Sequence, residues 1–353
     1  MKISEFDYSL PENLIAQNPI EPRDSSRLMI INRTTGKFEH RIFRDLPHYL
    51  SRGDCLVLND ARVLPARLRG YKAKTKGKVE VLLLQRIEDK KWEALVKPGR
   101  KLPPGVDLIF GDGLLLGHIE ERLPGGERII SFECQGDFKE VLNRIGGIPL
   151  PPYIHETLED KERYQTVYAR REGSIAAPTA GLHFTPSLLK DLERKSVRFV
   201  FVTLQVGLDT FRPLRVENVE EHKIHSEYFQ LSQASAELIN RTINEGKKVI
   251  AVGTTSARTL ETVAVRSPNP ESPGSMGRKW RVGAGKGWTK LFIYPGFDFK
   301  IVDALITNFH LPKSTTLILV SAFAGRDLII RAYREAIDRG YRFLSFGDAM
   351  LIL

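Results

Sequence analysis

The stretch from residue 67 to residue 148 constrains the fold of this sequence more than any other feature. Short β-like runs over 79–84, 92–96, 114–119 and 128–132 are separated by turn sequences that contain glycine and proline. That spacing is typical of a small antiparallel barrel or sandwich, and a helical pattern over 137–145 follows it. We therefore expect residues 67–148 to form a separate, small antiparallel β domain.

Helices alternate with strands in the rest of the chain. The patterns predict helices over 187–195, 234–244, 256–265 and near 327–338, and strands over 197–206, 248–252, 291–294 and near 343–346. Such alternation favours an α/β fold with a mixed, largely parallel sheet. The sequence thus predicts a large, discontinuous α/β domain, residues 1–66 and 149–353, into which a small β-barrel-like domain is inserted.

Charge and cysteine content narrow the classes of function. The chain has 53 Lys and Arg against 43 Asp and Glu, a net charge of +10, which favours a polyanionic partner, although soluble enzymes are often basic too. Two cysteines without a CxxC motif exclude a disulfide framework, a zinc ribbon and an iron–sulfur cluster. We expect no metal, because no ligand spacing occurs, and neither a signal peptide nor a membrane span.

Two segments concentrate positive charge. The first has no acidic residue and contains Arg67, Arg69, Lys72 and Lys74, followed by two more lysines. The second, residues 266–290, is rich in glycine, proline and serine, contains Arg278, Lys279 and Arg281, and is too long for a simple connector. We expect a flexible basic loop at 266–290. Each segment has two interpretations: it contacts nucleic-acid phosphates, or it is a solvated surface without a partner.

The sequence VIAVGTTSARTLE predicts a strand, a turn at Gly253 and then a helix. Thr254, Thr255 and Ser256 lie where the free N–H groups at the start of that helix can hold a carboxylate or phosphate, and Arg258 can add a charge-assisted bond. The alternative is ordinary N-capping by one of these hydroxyls. The glycine-rich GAGKG at 283–287 matches neither a dinucleotide fingerprint nor a P-loop, since no predicted strand precedes it and no Ser or Thr follows its lysine.

Proton transfer has three candidates. His183 and His310 lie in segments of small residues and proline that are typical of neither helix nor strand, and an imidazole with its ordinary pKa near 6.5 suits proton transfer. Asp60 and Arg62 follow an apolar, strand-like run and could form a binding edge. The alternatives are histidines held by backbone bonds or solvent, and an Asx-capped turn at Asp60.

A resemblance is carried by longer words that occur in a fixed order. They include LVLNDARVLPARL, IPLPPYI, RYQTVYA, AAPTAGLHFT, VTLQVGLDTFRP, VIAVGTTSARTLE, ALITNFHLPKST and YRFLSFGDAMLI. Together these words resemble the S-adenosylmethionine:tRNA ribosyltransferase-isomerase family of queuosine biosynthesis, from residue 2 to residue 353. The family fold, an α/β domain with an inserted β-barrel-like domain, agrees with the pattern at 67–148.

The resemblance implies transfer and isomerisation of the ribosyl group of S-adenosylmethionine. The acceptor is the aminomethyl group of a 7-deazaguanine at the wobble position of tRNA, the product is epoxyqueuosine, and adenine and methionine are released. It implies no permanently bound cofactor and no metal, with S-adenosylmethionine as a substrate. It implies tRNA as the partner. Few cysteines and the lack of a signal-peptide or membrane-span pattern lead us to expect a cytoplasmic protein that binds no membrane, and we expect a monomer.

The roles of individual residues follow from their chemistry, and the resemblance does not assign them. His183, His310 and Asp60 are the candidates for the base, and the basic residues of 67–74 and 278–281 are candidates for tRNA contacts. The family usually reads VTLHVGxGTF, whereas this chain has Gln205 and Asp209, so either Gln205 only hydrogen-bonds substrate or the activity has diverged. A methyltransferase and a non-catalytic RNA-binding relic are the alternatives. The substrate-binding candidates are Arg62, Thr179, Gly181, Gln205, Gly253, Thr254, Thr255, Ser256, Arg258 and Asn308.

Overall fold

The computed structural model describes residues 1–207, 214, 216–267 and 279–353, so that Asp209 and Arg278 lie outside the described residues. The chain divides into two compact units. The larger, α/β unit contains residues 1–62, 151–171 and 177–353, and the smaller, barrel unit contains 63–150 and 172–176. Each unit is described by itself.

The strands are named in chain order. They are β1 (Arg27–Ile31), β2 (Phe38–Ile42), β3 (Cys55–Asn59), β4 (Ala61–Val63), β5 (Arg67–Lys72), β6 (Lys78–Glu88), β7 (Lys91–Lys97), β8 (Asp107–Phe110), β9 (Leu115–Arg122), β10 (Arg128–Glu133), β11 (Arg171–Ser174), β12 (Arg198–Leu204), β13 (Glu227–Leu231), β14 (Val249–Val252), β15 (Ala264–Arg266), β16 (Trp280–Val282), β17 (Gly285–Thr289), β18 (Ala304–Asn308) and β19 (Ala349–Ile352).

The α-helices are α1 (Phe138–Ile145), α2 (Pro186–Arg194), α3 (Gln233–Asn244), α4 (Thr254–Thr262), α5 (Thr315–Ala324) and α6 (Arg326–Asp338). Two 3-10 helices matter for the site, Phe43–Tyr49 and Thr179–His183. Helix α5 is largely buried, and its residues 317–324 are apolar apart from Ser321. Among the described residues, no helix is both long and apolar enough to cross a lipid bilayer.

A nine-stranded mixed sheet forms the α/β unit, in the order β17-β13-β12-β3-β14-β18-β19-β1-β2. The four neighbouring strands β12, β3, β14 and β18 are parallel. Apolar segments such as CLVLN and VIAV are buried on both faces, as parallel strands with helices on both sides must be. The carboxyl ends of these four strands therefore meet at one edge.

Helices cover both faces of this sheet. On one face α3, α4, α5 and α6 pack through residues such as Ile239, Leu260 and Ile329. On the other face α2 and the two 3-10 helices pack through Leu188, Phe43 and Phe184. The buried rows of alternate strand residues supply the opposing surface in both cases.

The barrel unit contains a closed six-stranded barrel with the strand order β10-β7-β6-β5-β8-β9, antiparallel throughout. Alternate residues of β6 point inward, as the burial of Val79, Val81 and Leu83 shows. A Cβ on Gly70 would lie 2.2 Å from the carbonyl oxygen of Ile109, so the barrel wall requires glycine there. The mixed sheet together with this barrel confirms the predicted fold class.

Two predicted strands are not found at their predicted positions. Residues 291–294 form no strand, and the last strand is Ala349–Ile352 rather than a segment near 343–346, where Leu344 has φ of +70° in a tight turn. The prediction failed there because the aromatic residues of 341–346 pack in a corner against Phe309 and Tyr333.

Residues 280–289, expected to belong to a flexible loop, form β16 and β17. Strand β16 also precedes the GAGKG sequence, where no strand was predicted. Glycine is depleted in strands, so a glycine-rich strand resembles a loop in the sequence, but β17 pairs with β13 along its whole length. Residues 268–278 of the expected loop lie outside the described residues.

Candidate active site at the carboxyl edge of the sheet

Four predicted site residues lie at the carboxyl edge of the parallel strands. Asp60 follows β3, Gln205 follows β12, Gly253 follows β14 and Asn308 ends β18. Ligands of open α/β sheets bind at this edge, because the loops and helix N-termini that follow the strands converge there. The structure thus brings together residues that are far apart in the sequence.

The turn between β14 and α4 has an open helix N-terminus. Gly253 adopts φ of +85° at the N-cap position, and no side chain caps α4. Ser256 instead donates its hydroxyl to the carbonyl of Val252 at 2.8 Å. The buried Thr255 Oγ1 has no hydrogen-bond partner among the described residues. The alternative of N-capping by a threonine or serine is therefore wrong, and N–H groups of the first turn stay available.

A cavity opens beside this helix start. About 500 Å³ of space lies between its walls, open solvent at the mouth included. Thr254, Thr255 and Arg258 of α4 line one side, and Thr315 and Thr316 at the start of α5 line another. Glu227 of β13 also lines it, and the remaining wall is apolar: Ile224, Leu291, Phe292, Ile293 and Leu319. Two helix N-termini therefore face one cavity, which we call the α4–α5 cavity.

A buried ion pair joins Arg258 to Glu227 in this cavity. Only 11% of the arginine side chain and 6% of the glutamate side chain are exposed. The second carboxylate oxygen of Glu227 accepts the backbone N–H of Gly207 at 2.8 Å, and Nε of Arg258 donates to the carbonyl of Leu291 at 3.1 Å. The Nη2 of Arg258 has no partner among the described residues.

The α4–α5 cavity suits a small zwitterion. The unpaired Thr255 hydroxyl, the Nη2 of Arg258 and two helix N-termini all favour an anionic group, because buried donors are nearly always hydrogen-bonded in a complete complex. The carboxylate of Glu227 offers the opposite charge on the same wall. An α-amino acid carries both charges on adjacent atoms.

His183 lies in the 3-10 helix Thr179–His183 and is 4% exposed. Its Nδ1 lies 2.7 Å from Ser26 Oγ, its Nε2 lies 3.3 Å from Nδ2 of Asn308, and its ring stacks on Phe43. Burial, with a smaller contribution from Arg342, lowers the pKa of His183 to about 3. The imidazole is therefore neutral at pH 7, and the Asn308 contact identifies Nε2 as its acceptor.

A second, smaller cavity borders His183. Its walls include Arg23, Arg163, Ser345 and Phe346, and it contains about 270 Å³ of empty space. Both arginines already have partners: Arg23 donates to the carbonyls of Glu162 and Gln165, and Arg163 donates to that of Ile20 and pairs with Glu21. The Asn308 Oδ1 nearby is buried without a partner among the described residues.

His310 is held by the surrounding fold. Its Nε2 lies 2.8 Å from Thr307 Oγ1, its backbone N–H donates to the hydroxyl of Tyr333, and its carbonyl accepts the hydroxyl of Tyr8. Burial lowers its pKa to about 3. The ordinary pKa near 6.5, which made both histidines candidates from the sequence, is thus absent in the folded protein.

Asp60 is tied into an ion-pair network. Its Oδ1 accepts the hydroxyl of Thr203 at 2.7 Å, and its Oδ2 accepts Nη2 of Arg170 at 3.1 Å. Its carbonyl accepts the backbone N–H groups of Arg170 and Arg171 at 2.8 and 3.0 Å. These contacts fasten residues 170–171 to the end of β3, so both carboxylate oxygens already have partners.

The other predicted residues lie in different surroundings. Arg62 pairs with Glu162 near the surface, and the backbone N–H of Gln205 donates to the carbonyl of Tyr228. Thr179 begins the 3-10 helix of His183. Gly181 lies so close to Tyr168 that a Cβ would be 2.1 Å from the phenol oxygen. These four residues do not share one contact surface with the α4–α5 cavity.

The basic segment of β5 is partly used by the barrel unit. Arg67 donates to the carbonyl of Leu150 and approaches Glu80, and Lys72 donates to the carbonyl of Lys101 at 2.5 Å. Arg69 and Lys74 are exposed. In the α/β unit Lys279 and Arg281 are exposed as well.

Sequence reasoning missed Glu227, Thr315 and Thr316. Glu227 is a single acidic residue in the strand EYFQL, and nothing local marks its pairing with an arginine 31 positions away. The STT sequence before the apolar run of α5 is an N-cap signal that could have indicated a second helix start. In the described part of the chain, no group of three or more His, Cys, Asp or Glu side chains is placed to hold a metal ion.

Known proteins resemble this chain over its whole length. Residues 3–352 match the family described as queuosine biosynthesis protein. Relatives from Desulfitobacterium hafniense and Symbiobacterium thermophilum, both named S-adenosylmethionine:tRNA ribosyltransferase-isomerase, are each 57% identical, with 100% of both chains covered. A solved structure of S-adenosylmethionine tRNA ribosyltransferase from Thermotoga maritima is 42% identical, covers 99% of this chain and 100% of that chain, and gives a TM-score of 0.54.

Proposed function

The chain belongs to the queuosine biosynthesis protein family, and we infer from this membership that it is an S-adenosylmethionine:tRNA ribosyltransferase-isomerase. The resemblance expected from the sequence words is thereby confirmed. The enzyme uses S-adenosylmethionine and tRNA as substrates. The observation that carries this function is full-length identity of 53–57% to four relatives with that name.

We propose that the acceptor is the aminomethyl group of a 7-deazaguanine at the wobble position. The sulfonium of S-adenosylmethionine acidifies the adjacent C5′ protons, so removal of one proton can begin the rearrangement that expels adenine. The amine then attacks the rearranged ribosyl group and bonds to it, methionine leaves as a neutral thioether, and the product is epoxyqueuosine. We also propose that the enzyme acts as a cytoplasmic monomer.

We propose that the α4–α5 cavity holds the methionine part of S-adenosylmethionine. The carboxylate would accept from Thr255, Arg258 and the N–H groups of the helix starts, while Glu227 would face the ammonium group. The apolar wall of Leu291, Ile293 and Leu319 suits the methylene chain. This supports the site because all three parts of the ligand find a matching surface.

We propose that neutral His183 borders bound substrate and that its Nε2, which accepts Nδ2 of Asn308, positions that amide for substrate. Of the three residues considered for proton transfer, it borders a cavity, whereas both oxygens of Asp60 are paired and His310 is held by Thr307, Tyr8 and Tyr333. Its low pKa argues against an ordinary general base near neutral pH. We therefore expect that no exposed imidazole removes the proton, and that the base comes into place only when substrate binds.

We propose that the exposed cations of both basic segments contact tRNA phosphates. Arg69, Lys74, Lys279 and Arg281 are exposed, with Arg69 3.6 Å from Glu80, whereas Arg67 and Lys72 already donate to backbone carbonyls. Neutralising the four available residues should lower the slope of log affinity against log salt by about 0.7–0.9 for each phosphate that the protein no longer neutralises. An unchanged slope would place the tRNA elsewhere on the protein.

The test of the proposed function is mass spectrometry of the anticodon loop. The purified enzyme is incubated with S-adenosylmethionine and tRNA that carries the aminomethyl-deazaguanine, and the loop is digested and weighed. A ribosyl-derived adduct with release of adenine and methionine supports the proposal. A methyl adduct would indicate a methyltransferase, and an unmodified loop would indicate a non-catalytic RNA-binding protein; either result contradicts it.

A further inference from the structure

One face of the sheet carries an exposed aromatic side chain. Trp288 on β17 is 54% exposed, the largest exposed fraction among the large apolar side chains of the described residues. Its ring meets that of Tyr228 on β13 edge-on, with the centroids 5.8 Å apart. This indole presents a flat aromatic surface to solvent beside the exposed Lys286 and Lys290.

The residues around Trp288 follow from the strand register. Lys286 and Trp288 lie on the same face of β17, because side chains alternate along a strand, and they pair with Gln230 and Tyr228 of β13. The opposite face points inward, where Thr289 contacts Thr262 of α4 and Glu227 pairs with Arg258. The outward row is therefore separate from the α4–α5 cavity.

The outward row continues across the sheet as a strip of cations and rings. Arg171 donates to Oε1 of Gln230 at 3.3 Å. Its neighbour Arg170 stacks over the ring of Phe201 at 4.3 Å. The carboxylate of Asp60 beside them is only 3% exposed and already pairs with Arg170. We call Tyr228, Gln230, Lys286, Trp288 and Arg171 the β13–β17 face.

We propose that the β13–β17 face binds the single-stranded anticodon loop of the tRNA, with an unpaired base stacked on Trp288. Proteins that bind single strands alternate stacking aromatic rings with cations along the backbone path, and this face has that composition. The proposal rests on the proposed function, because it assumes that tRNA is the substrate. The stacking surface at Trp288 adds a preference for unpaired bases, which contacts between cations and phosphates do not provide on their own.

A second copy of this chain is the other occupant to consider. Strand β17 is an edge of the sheet, and an edge strand can pair with another sheet. However, the exposed Lys286 and Lys290 would face each other or their equivalents across such a contact. Like charges at an interface disfavour self-association and favour a polyanion.

The experiment measures binding of an anticodon stem–loop RNA to the whole enzyme and to Trp288→Ala, over a range of salt concentrations. Loss of one stacked base should weaken binding about 5- to 150-fold. The salt slope should stay unchanged, because no charge is removed, whereas Lys286→Ala with Lys290→Ala should lower it by about 1.4. Trp288→Phe keeps a ring and should retain most of the affinity.

The matched control is Ile42→Ala, which removes a 42% exposed apolar side chain from β2 at the other edge of the same sheet and should not change RNA binding. A duplex that contains the stem alone should bind Trp288→Ala and wild type equally. If wild type modifies the tRNA but Trp288→Ala binds the stem–loop within twofold of it, this inference fails and the proposed function stands. If the wild-type enzyme neither binds nor modifies the RNA, this inference and the proposed function are both overturned. If the wild-type enzyme is a dimer that Trp288→Ala dissociates, the face binds a second copy of the chain and the assignment to RNA is overturned.

Discussion

Breaking and replacing the Arg258–Glu227 ion pair should have opposite effects on stability. In Arg258→Met the carboxylate of Glu227, 6% exposed, keeps one hydrogen bond, from Gly207, and loses its counter-charge. An uncompensated buried charge costs about 3–5 kcal/mol. That is a large share of the ~5–15 kcal/mol that stabilises a typical domain.

The double variant Glu227→Leu with Arg258→Met replaces the pair by two apolar side chains beside Leu291, Ile293 and Leu319. Its free energy of unfolding should return to that of wild type or exceed it by up to about 4 kcal/mol. Its affinity for S-adenosylmethionine should nevertheless stay low, because both charged groups that face the methionine part are gone. Charge-assisted hydrogen bonds contribute ~1.5–3 kcal/mol each, so calorimetry should show at least a tenfold loss.

Urea unfolding and titration calorimetry on the same three proteins check this. Lys313→Met is the control, since its pair with Asp7 is largely exposed and its loss should cost no more than ~1 kcal/mol. If Arg258→Met were as stable as this control, the pair would be screened by solvent and the reasoning on burial would be refuted. If the double variant bound S-adenosylmethionine like wild type, the methionine part would bind elsewhere.

Three further predictions test the surroundings of the site. Gly181→Ala should lower the free energy of unfolding in urea by about 1–3 kcal/mol, because the new Cβ would lie 2.1 Å from Oη of Tyr168. Tyr168→Phe removes that oxygen and should relieve part of the cost. Equal losses with Tyr168 and with Phe at this position would contradict the prediction. Burial lowers the pKa of His183 from 6.5 to about 3. The free energy of unfolding should therefore be highest above pH 6.5 and fall as the pH is lowered, by about 2 kcal/mol at pH 5, because the unfolded chain binds the proton first. His183→Gln should lose this part of the acid sensitivity. Thr185→Ala removes the N-cap of α2 and should cost ~1 kcal/mol, whereas Thr185→Ser should cost much less.

Features with local causes could be predicted from the sequence. The turn at Gly253, the helix α4 after it and the N-cap at Thr185 follow from residues next to one another. The alternation of β6 and the turns between the barrel strands likewise depend on neighbours along the chain. For these elements short-range physical rules are enough.

Features with distant causes could not be predicted in the same way. The low pKa of His183 arises from burial under Phe43 and from packing against segments such as the one that holds Ser26. The partner of Arg258 is on another strand, and the central position of β19 depends on its pairing with both β1 and β18. The glycines of β17 are typical of a loop, and its pairing with β13 depends on residues more than 50 positions away.

The strand order of the two sheets has a consequence for how the chain folds. Every neighbour in the barrel comes from the short stretch between Arg67 and Glu133, whereas in the large sheet Ile31 pairs with Ile352. Contacts between distant residues carry a larger loop-closure entropy and form more slowly. On the ribosome the barrel can complete its pairing long before β19 is synthesised. Until then, the edges of β18 and β1 that pair with β19 stay exposed. A chaperone that shields strand edges would therefore act on the α/β unit and not on the barrel.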